Sequence, residues 1–275
     1  MSYATKRAFG RSLEGLGVLL TLIFILAPIV WITLTAFKNQ RDAYSLKVFF
    51  EPTLQNFQTI FAPPYNFGPL LVNSVVVSLT TIAIAIPIAL MASYVFSRYV
   101  FKGSDLLLVW VLTTQFIPPV VVAIPFFNLF RNLQLIDTRA ALVILNLSIV
   151  LPYAIWMIKG FVDALPSEIE EAAMVDGCTE FGILRHVTLP LVLPGVIVAA
   201  VFAFITAWNE FLFAFVMTRS EAQTLQVGLL NTTGVRGVQW ELMSATGLLV
   251  MVPIFVLSLA IRRHFVEGIT MGAVK

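Results

Sequence analysis

Long apolar segments recur along this sequence, and they constrain its fold more than any other feature. The first of them, residues 15–37, contains no charged side chain. A helix of about 20 apolar residues crosses the hydrocarbon core of a bilayer. Hydrophobic residues make up 59% of the 275 residues and charged residues 12%, about half the charge of a typical soluble domain. The sequence therefore predicts an all-α integral membrane protein, a single transmembrane domain over residues 1–275, with six spans near 16–37, 70–97, 106–130, 140–158, 191–217 and 245–261.

Three prolines interrupt the third predicted span, namely Pro118, Pro119 and Pro125. Proline removes a backbone donor and kinks or breaks a helix. Broken helices at membrane depth usually line a cavity or pack inside the bundle, so we predict a broken third helix. Gln115, beside the prolines, is a candidate for the substrate path; the alternative is an interhelical hydrogen bond worth about 0.6 kcal/mol.

The remaining composition argues against several functions. A net charge of +2 is too small to indicate nucleic-acid binding. The single cysteine excludes an intrachain disulfide, and neither histidine lies in a predicted span, so we expect no metal site and no cofactor. The sequence lacks the G-x-x-x-x-G-K-[ST] pattern of nucleotide-binding loops. We therefore expect that this chain is not an enzyme and does not hydrolyse ATP.

The distribution of basic residues predicts an orientation. With six spans, both termini lie on the same side of the membrane. The terminal side carries ten Lys and Arg residues in 68, and the other side carries seven in 68. Because basic residues are enriched on the cytoplasmic side, this difference favours cytoplasmic termini, and it places the loop between the fourth and fifth spans in the cytoplasm.

That loop contains a charged stretch, residues 167–195, between two apolar spans. Ser167 followed three residues later by Glu170 is typical of a capping box at the start of a helix. Gly177 is suited to end the helix in a left-handed turn, and Thr179 to cap a second short helix. Pro190 would then end that helix or begin the next span. The local pattern predicts a short helix, a sharp turn and a second short helix.

The same stretch resembles the EAA loop of the permeases of bacterial ABC importers, whose pattern is EAA, three residues, Gly, nine residues, then I-x-L-P. Here Glu171-Ala172-Ala173, Gly177 and Val187-Thr188-Leu189-Pro190 match it at every spacing, with Val187 replacing Ile and Cys178 where Ala is common. The resemblance implies the ABC type I importer fold, in which the loop over 167–190 is a cytoplasmic coupling helix between the fourth and fifth spans. It implies coupling to an ATPase through Glu171, Ala172, Ala173, Asp176, Gly177, Leu189 and Pro190.

The end of the chain carries a second resemblance. The last eight residues, GITMGAVK, resemble the C-terminal segment of permeases of the maltose-transporter type, whose tail reaches the ATPase dimer interface. This implies a cytoplasmic tail over 262–275 in a binding-protein-dependent permease of the maltose/carbohydrate type. The implied partners are a second homologous permease, two cytoplasmic ATPase subunits, an extracytoplasmic solute-binding protein, a carbohydrate substrate and the lipid of the bacterial cytoplasmic (inner) membrane.

A polar run near the end of the fifth span, Trp208-Asn209-Glu210, is the second candidate for the substrate path. An acid at the bilayer centre costs about 2.5–3.5 kcal/mol, so Glu210 should face the bundle interior, a cavity or the headgroups. Aromatic faces and polar groups together suit a pyranose ring, and the run resembles one in sugar-type permeases. The alternative is an interfacial tryptophan anchor with a hydrogen bond between helices.

Three other functions compete with a sugar importer. An ion-coupled secondary transporter needs carboxylates within its spans, and only Glu210 qualifies. An intramembrane enzyme needs a nucleophile with a base, or metal ligands, at depth. An ABC permease for another solute, such as phosphate, sulfate or an amino acid, would share the EAA loop, but the Trp208-Asn209-Glu210 run and the tail favour a sugar.

Overall fold

The computed structural model describes the backbone of residues 3–234 and 237–273, and the side chains of 14–233, 237–259 and 261. Within these residues the chain is almost entirely helical. The helices are α1 (Tyr3–Ala36), α2 (Gln40–Ala43), α3 (Gln55–Phe61), α4 (Phe67–Arg98), α5 (Ser104–Thr113), α6 (Pro119–Asn132), α7 (Arg139–Asp163), α8 (Ser167–Val175), α9 (Glu180–Ile183), α10 (Leu189–Asn209), α11 (Leu212–Met217), α12 (Leu225–Gly228) and α13 (Trp240–Ala273). Two antiparallel strands, β1 (Thr233–Gly234) and β2 (Gly237–Val238), form a short hairpin in which Thr233 pairs with Val238.

Five helical segments are long and apolar enough to cross a membrane: Glu14–Ala36, Phe67–Arg98, Arg139–Asp163, Glu180–Asn209 and Trp240–Leu259. A sixth candidate consists of two pieces, Ser104–Phe116 and Pro119–Asn132, bent by 94° at the break between them. The break falls at Pro118, where a missing backbone donor was predicted to interrupt the third span. The prediction of an all-α membrane protein is confirmed.

The first compact unit comprises Met1–Phe67 and Leu229–Val252. The membrane-spanning part of α1 is largely exposed. Its C-terminal end is capped by Asn56 of α3, whose side-chain amide donates to the carbonyls of Ala36 (2.8 Å) and Lys38 (2.7 Å). These two hydrogen bonds satisfy carbonyls that a helix end otherwise leaves without partners. Lys38 is fully buried, with its ammonium 4.2 Å from the centre of the Trp31 ring.

The second unit comprises Gly68–Gly228 and Pro253–Lys275. Its larger apolar cluster joins α4, α7 and α10 and includes several small residues: Ala85, Ala89, Ala154, Ala199 and Ala203 are all buried. Small side chains let membrane helices approach closely. At buried Gly195 there is no room for a Cβ atom, which would overlap the ring of Phe161. A second cluster packs Phe130 of α6 and Leu142 of α7 against Phe213 of α11.

A carboxylate joins two loops of this second unit. Asp137, in the loop before α7, accepts hydrogen bonds from the backbone N–H groups of 219–222. Burial raises the pKa of Asp137, but these four amides outweigh it and lower the pKa to about 2. The carboxylate therefore stays ionised at ordinary pH and keeps both loops together.

The predicted tail, 262–275, lies outside the residues whose side chains the structure describes.

Candidate coupling site and solute path

The coupling stretch begins with α8, and its start differs from the predicted capping box. The residue before the helix is Pro166, and no side chain caps the helix N-terminus. Ser167 is already the first helical residue. Glu170 does not fold back onto the backbone, because its carboxylate binds side chains of other helices. The capping-box prediction is wrong: the spacing of Ser167 and Glu170 fits the motif, but a stronger ionic partner takes the carboxylate.

The turn after α8 forms at Gly177. Its φ is +84°, in the left-handed region that favours glycine. The N–H of Gly177 donates to the carbonyl of Met174, and the N–H of Cys178 donates to that of Ala173, both at 3.0 Å. These two bonds define a Schellman motif, which satisfies the last carbonyls of a helix. Gly177 therefore ends α8 in the left-handed turn predicted from the sequence.

Most of the predicted coupling residues lie on the surface. Glu171, Ala172, Asp176 and Gly177 are exposed, and Ala173 is half-buried. Exposed apolar side chains lie between the acids: Ile169, Met174 and Val175 expose 42%, 50% and 89% of their area. The helix therefore presents a mixed acidic and apolar face to its surroundings.

A second short helix leads from this turn into the fifth span. The hydroxyl of Thr179 accepts a hydrogen bond from the N–H of Gly182 (3.2 Å) and caps α9, as predicted. Leu184–Thr188 then form a π-helical turn that continues into α10. Pro190 has no N–H to offer the preceding turn, and widened turns of this kind accommodate such a gap. Leu189 is half-buried and Pro190 exposed.

Glu170 is the one residue of α8 that the structure buries. Its Oε2 atom lies 2.5 Å from Nε of Arg98, at the end of α4, and its Oε1 accepts from the Thr188 hydroxyl at 2.6 Å. Nη2 of Arg98 also donates to the carbonyls of Val162 (3.0 Å) and Leu165 (3.1 Å). The side chains of Arg98 and Glu170 expose only 16% and 6% of their area. Removing one partner of such a buried pair typically costs about 3–5 kcal/mol.

The Trp208-Asn209-Glu210 run forms a break in the fifth span. The helix α10 ends at Asn209, and α11 begins at Leu212. The Glu210 carboxylate accepts hydrogen bonds from the backbone N–H groups of Phe213 (2.6 Å) and Ala214 (3.0 Å). These amides belong to the first turn of α11, which otherwise leaves them unpaired. Glu210 therefore caps a helix inside the predicted span.

Trp208 has a packing role beside this break. Its side chain is 1% exposed and stacks on Phe204, with ring centroids 5.5 Å apart. Its carbonyl accepts a hydrogen bond from the side-chain amide of Gln226. Asn209, in contrast, is exposed. Of the three residues, Asn209 is the one whose side chain is available to a solute.

Gln115 lies at the break of the third span, in the single turn Thr114–Phe116. Its side-chain amide donates to the carbonyl of Ile149 at 3.0 Å. Gln115 also lines a cavity of about 200 Å³ together with Phe213. Glu210 binds the N–H of Phe213, and Phe213 lines the cavity beside Gln115, so both path candidates lie near the same residue.

The sequence of this bundle matches a known family. The family of binding-protein-dependent transport system inner membrane components matches residues 85–270. The chain belongs to this family. The matched segment contains the EAA loop, the break at Glu210 and five of the six candidate spans in whole or in part.

Relatives of this inner-membrane permease agree along almost its whole length. A probable ABC transporter permease protein of Sinorhizobium fredii is 35% identical over 91% of this chain and 90% of its own. The diacetylchitobiose uptake system permease protein of Streptomyces coelicolor is 33% identical over 98% of this chain and 99% of its own. The resemblance to permeases of sugar ABC transporters is confirmed.

Solved structures support the fold of the permease. A chain from a bacterial ABC transporter involved in the import of the acidic polysaccharide alginate superposes with a TM-score of 0.81. The two chains are 19% identical, and the match covers 96% of this permease and 99% of that chain. The predicted ABC type I importer fold is therefore confirmed.

Three partners of the candidate sites were not predicted from the permease sequence: Arg98, Thr188 and Gln226. Arg98 is the last residue of an apolar run, and Thr188 occupies the variable position of the I-x-L-P pattern. Each lies far along the chain from the group that it binds, at separations of 72, 18 and 18 residues. No local pattern indicates pairs of this kind, because only tertiary packing brings α8 against Arg98 and Thr188, and Gln226 of α12 against the end of α10.

Proposed function

We propose that this permease moves a sugar or sugar oligomer inward across the bacterial inner membrane by alternating access. The family match carries the proposal, because the related permease of Streptomyces coelicolor serves the uptake of diacetylchitobiose. The six predicted spans form the transmembrane domain, with both termini and the tail over 262–275 in the cytoplasm. ATP is hydrolysed by a partner subunit, and the chain itself has no catalytic site.

The proposed assembly contains a second, homologous permease, two cytoplasmic ATPase subunits and an extracytoplasmic solute-binding protein. Closure of the ATPase pair around ATP moves the coupling helices, and rigid helix bundles then change between inward-open and outward-open states. In this scheme α8 docks on an ATPase through Glu171, Ala172, Ala173, Asp176 and Gly177. Leu189 and Pro190 lead from the docked segment into the fifth span.

Cysteine crosslinking tests the docking of α8. In a Cys178→Ala background, Ala172→Cys should crosslink to the co-expressed ATPase in intact membranes, because Ala172 is exposed on the acidic face. Val100→Cys, which is also exposed and lies in the loop after α4, provides the control position and should give much less product. A crosslink from Val100 and none from Ala172 would contradict the proposal.

For the solute path, we propose direct contacts from Gln115 and Asn209, with Trp208 and Glu210 forming the frame of the break. The cavity beside Gln115 has room for one hexose-sized ring, and amide groups offer both donors and acceptors to hydroxyls. Glu210 and Trp208 are engaged by the helix break itself, so their replacement should disturb structure as well as binding.

Substitution separates these roles. Gln115→Ala and Asn209→Ala should each lower uptake about tenfold, while the ATPase still co-purifies with the permease; losing a hydrogen bond worth about 1–1.5 kcal/mol has this effect. The carbohydrate used to measure uptake is the one that the cells can grow on only when this transporter is present. Asn128→Ala, which removes an exposed amide of α6 that is not one of the proposed contacts, should leave uptake unchanged. Wild-type uptake in both path variants would rule out their contact with solute.

The two rival transport functions give different results in the same cells. Collapsing the proton gradient while ATP is maintained should leave uptake intact, whereas an ion-coupled transporter would stop. A permease for a non-sugar solute would show growth dependence on that solute and on no carbohydrate.

A further inference from the structure

In the first part of the coupling stretch, from Ser167 to Cys178, one carboxylate is the only buried side chain. From Ser167 to Cys178, every residue is exposed except half-buried Ala173 and buried Glu170. Within the part of the chain that the structure describes, Glu170 also makes the only side-chain hydrogen bonds between α8 and the spanning helices. A force on the exposed face of α8 can therefore reach the spanning helices through the backbone at its two ends, through its packing against Leu184–Thr188, and through the hydrogen bonds of Glu170.

Three spanning segments meet at this carboxylate. Arg98 ends α4, Val162 and Leu165 lie at the end of α7, and Thr188 lies in the turn that enters α10. We call this group of contacts the Glu170 clamp. It consists of the ion pair of Glu170 and Arg98, the hydroxyl of Thr188 and the two carbonyls bound by Arg98. All of its members lie in one compact unit.

The chemistry of the clamp fixes the relative orientation of the joined segments as well as the distance between them. The guanidinium group of Arg98 is planar, with its N–H groups in a rigid fork. One edge binds Glu170 and Nη2 binds two carbonyls, so rotation of α8 against α7 would break at least one of these bonds. Little water reaches the pair, and hydrogen bonds to charged groups are strongest where water is excluded.

We propose that the Glu170 clamp transmits the movement of the coupling helix to α4, α7 and α10, so that these helices move as one body. Arg98, Glu170 and Thr188 are positioning residues in this proposal, since they contact neither ATPase nor solute. The proposal rests on the docking of α8 described above. An apolar contact of the same size would hold the segments together equally well, but it would not fix their relative rotation.

A spin-label experiment on the full complex tests this rigidity. Cys178 is the single cysteine of the chain and is exposed. Gly160, on the exposed side of α7, accepts a cysteine because a Cβ atom there meets no other atom within 4 Å. Labels on Cys178 and on Gly160→Cys should give one narrow distance distribution, unchanged between the ATP-bound and nucleotide-free complex in membranes.

Breaking the clamp should change that result. Glu170→Gln and Thr188→Val should broaden the distribution or make it depend on nucleotide. They should also lower the ratio of solute transported to ATP hydrolysed by about fivefold or more, the lower end of typical coupling between linked sites. The control is Glu168→Gln, the same chemical change on an exposed acid of the same helix, and it should have neither effect. Unchanged distances and coupling in both clamp variants would overturn the proposal.

A double variant separates transmission from folding. Arg98→Met with Glu170→Leu removes both buried charges and should recover the amount of folded permease that Glu170→Gln alone loses. If the clamp transmits movement, coupling stays low in the double variant. If coupling recovers together with folding, the clamp serves only stability and the proposal fails.

Failure of the docking proposal would look different. In that case Ala172→Cys would not crosslink to the ATPase even with the Glu170 clamp intact. The distance between the two labels would still report whether α8 and α7 move together.

Discussion

Gly177→Val is expected to abolish uptake and to remove the ATPase from the purified permease, while the amount of permease in the membrane stays close to wild type. The reason is local: φ at Gly177 is +84°, and an ordinary residue pays roughly 1–2 kcal/mol in this region. The conformational free-energy cost is larger for a β-branched residue such as valine. The turn would change conformation, and the position of the exposed face of α8 would change as a result. Co-purification of the ATPase, followed by uptake, measures the effect.

Two further substitutions at Gly177 separate the turn from its charge. Asn and Asp have the same shape and both tolerate the left-handed region, and a Cβ atom at Gly177 meets nothing within 4 Å. Gly177→Asn should therefore keep most of the activity. A lower activity in Gly177→Asp would measure the effect of an added charge on the docking face. Loss of activity in Gly177→Asn equal to that in Gly177→Val would refute the conformational explanation.

Gly195→Ala should strongly reduce the amount of folded permease. The new methyl group would overlap the ring of Phe161, which packs from α7 against the apolar cluster that includes residues of α10. Overpacking of this kind typically costs about 1–3 kcal/mol. Unfolding of the purified permease in detergent on heating, compared with wild type, measures the loss.

A second substitution should reverse this loss. Phe161→Leu removes ring atoms from the contact, so the pair Gly195→Ala and Phe161→Leu should be more stable than Gly195→Ala alone. Gly160→Ala adds the same methyl group on α7 where space is open, and it should be neutral or slightly stabilising because alanine favours the helix. If Gly195→Ala unfolds no earlier than Gly160→Ala, close packing at this site does not limit stability.

The features that sequence reasoning predicted are those that depend on local chemistry. Apolar length predicts the spans, and Pro118 predicts the break in the third of them because a missing N–H acts within one turn. Gly177 and Thr179 indicate the end of one helix and the start of the next for the same reason: their effects reach only three or four residues along the chain. The structure contains all of these features.

Two features depended on contacts that no local pattern records. The capping box expected at Ser167 did not form because Arg98, 72 residues earlier, binds Glu170. The predicted fifth span, 191–217, is interrupted after Asn209, although its composition is apolar throughout apart from the polar run. Glu210 stabilises the start of α11, and Gln226 satisfies a carbonyl that the ended helix leaves free. No proline or glycine lies at this break, so the sequence contains no residue that would predict it.

Asp137 has a consequence for how this permease can change over time. Among the residues that the structure describes, the donors to its carboxylate are the hydroxyl of Ser220 and main-chain N–H groups, which all amino acids except proline possess. The exposed side chains at 219–221 can therefore be exchanged, proline excepted, without releasing the loop, whereas Ala222 is buried. One aspartate preserves the path of that segment, and the segment remains open to adaptation toward whichever surface it meets.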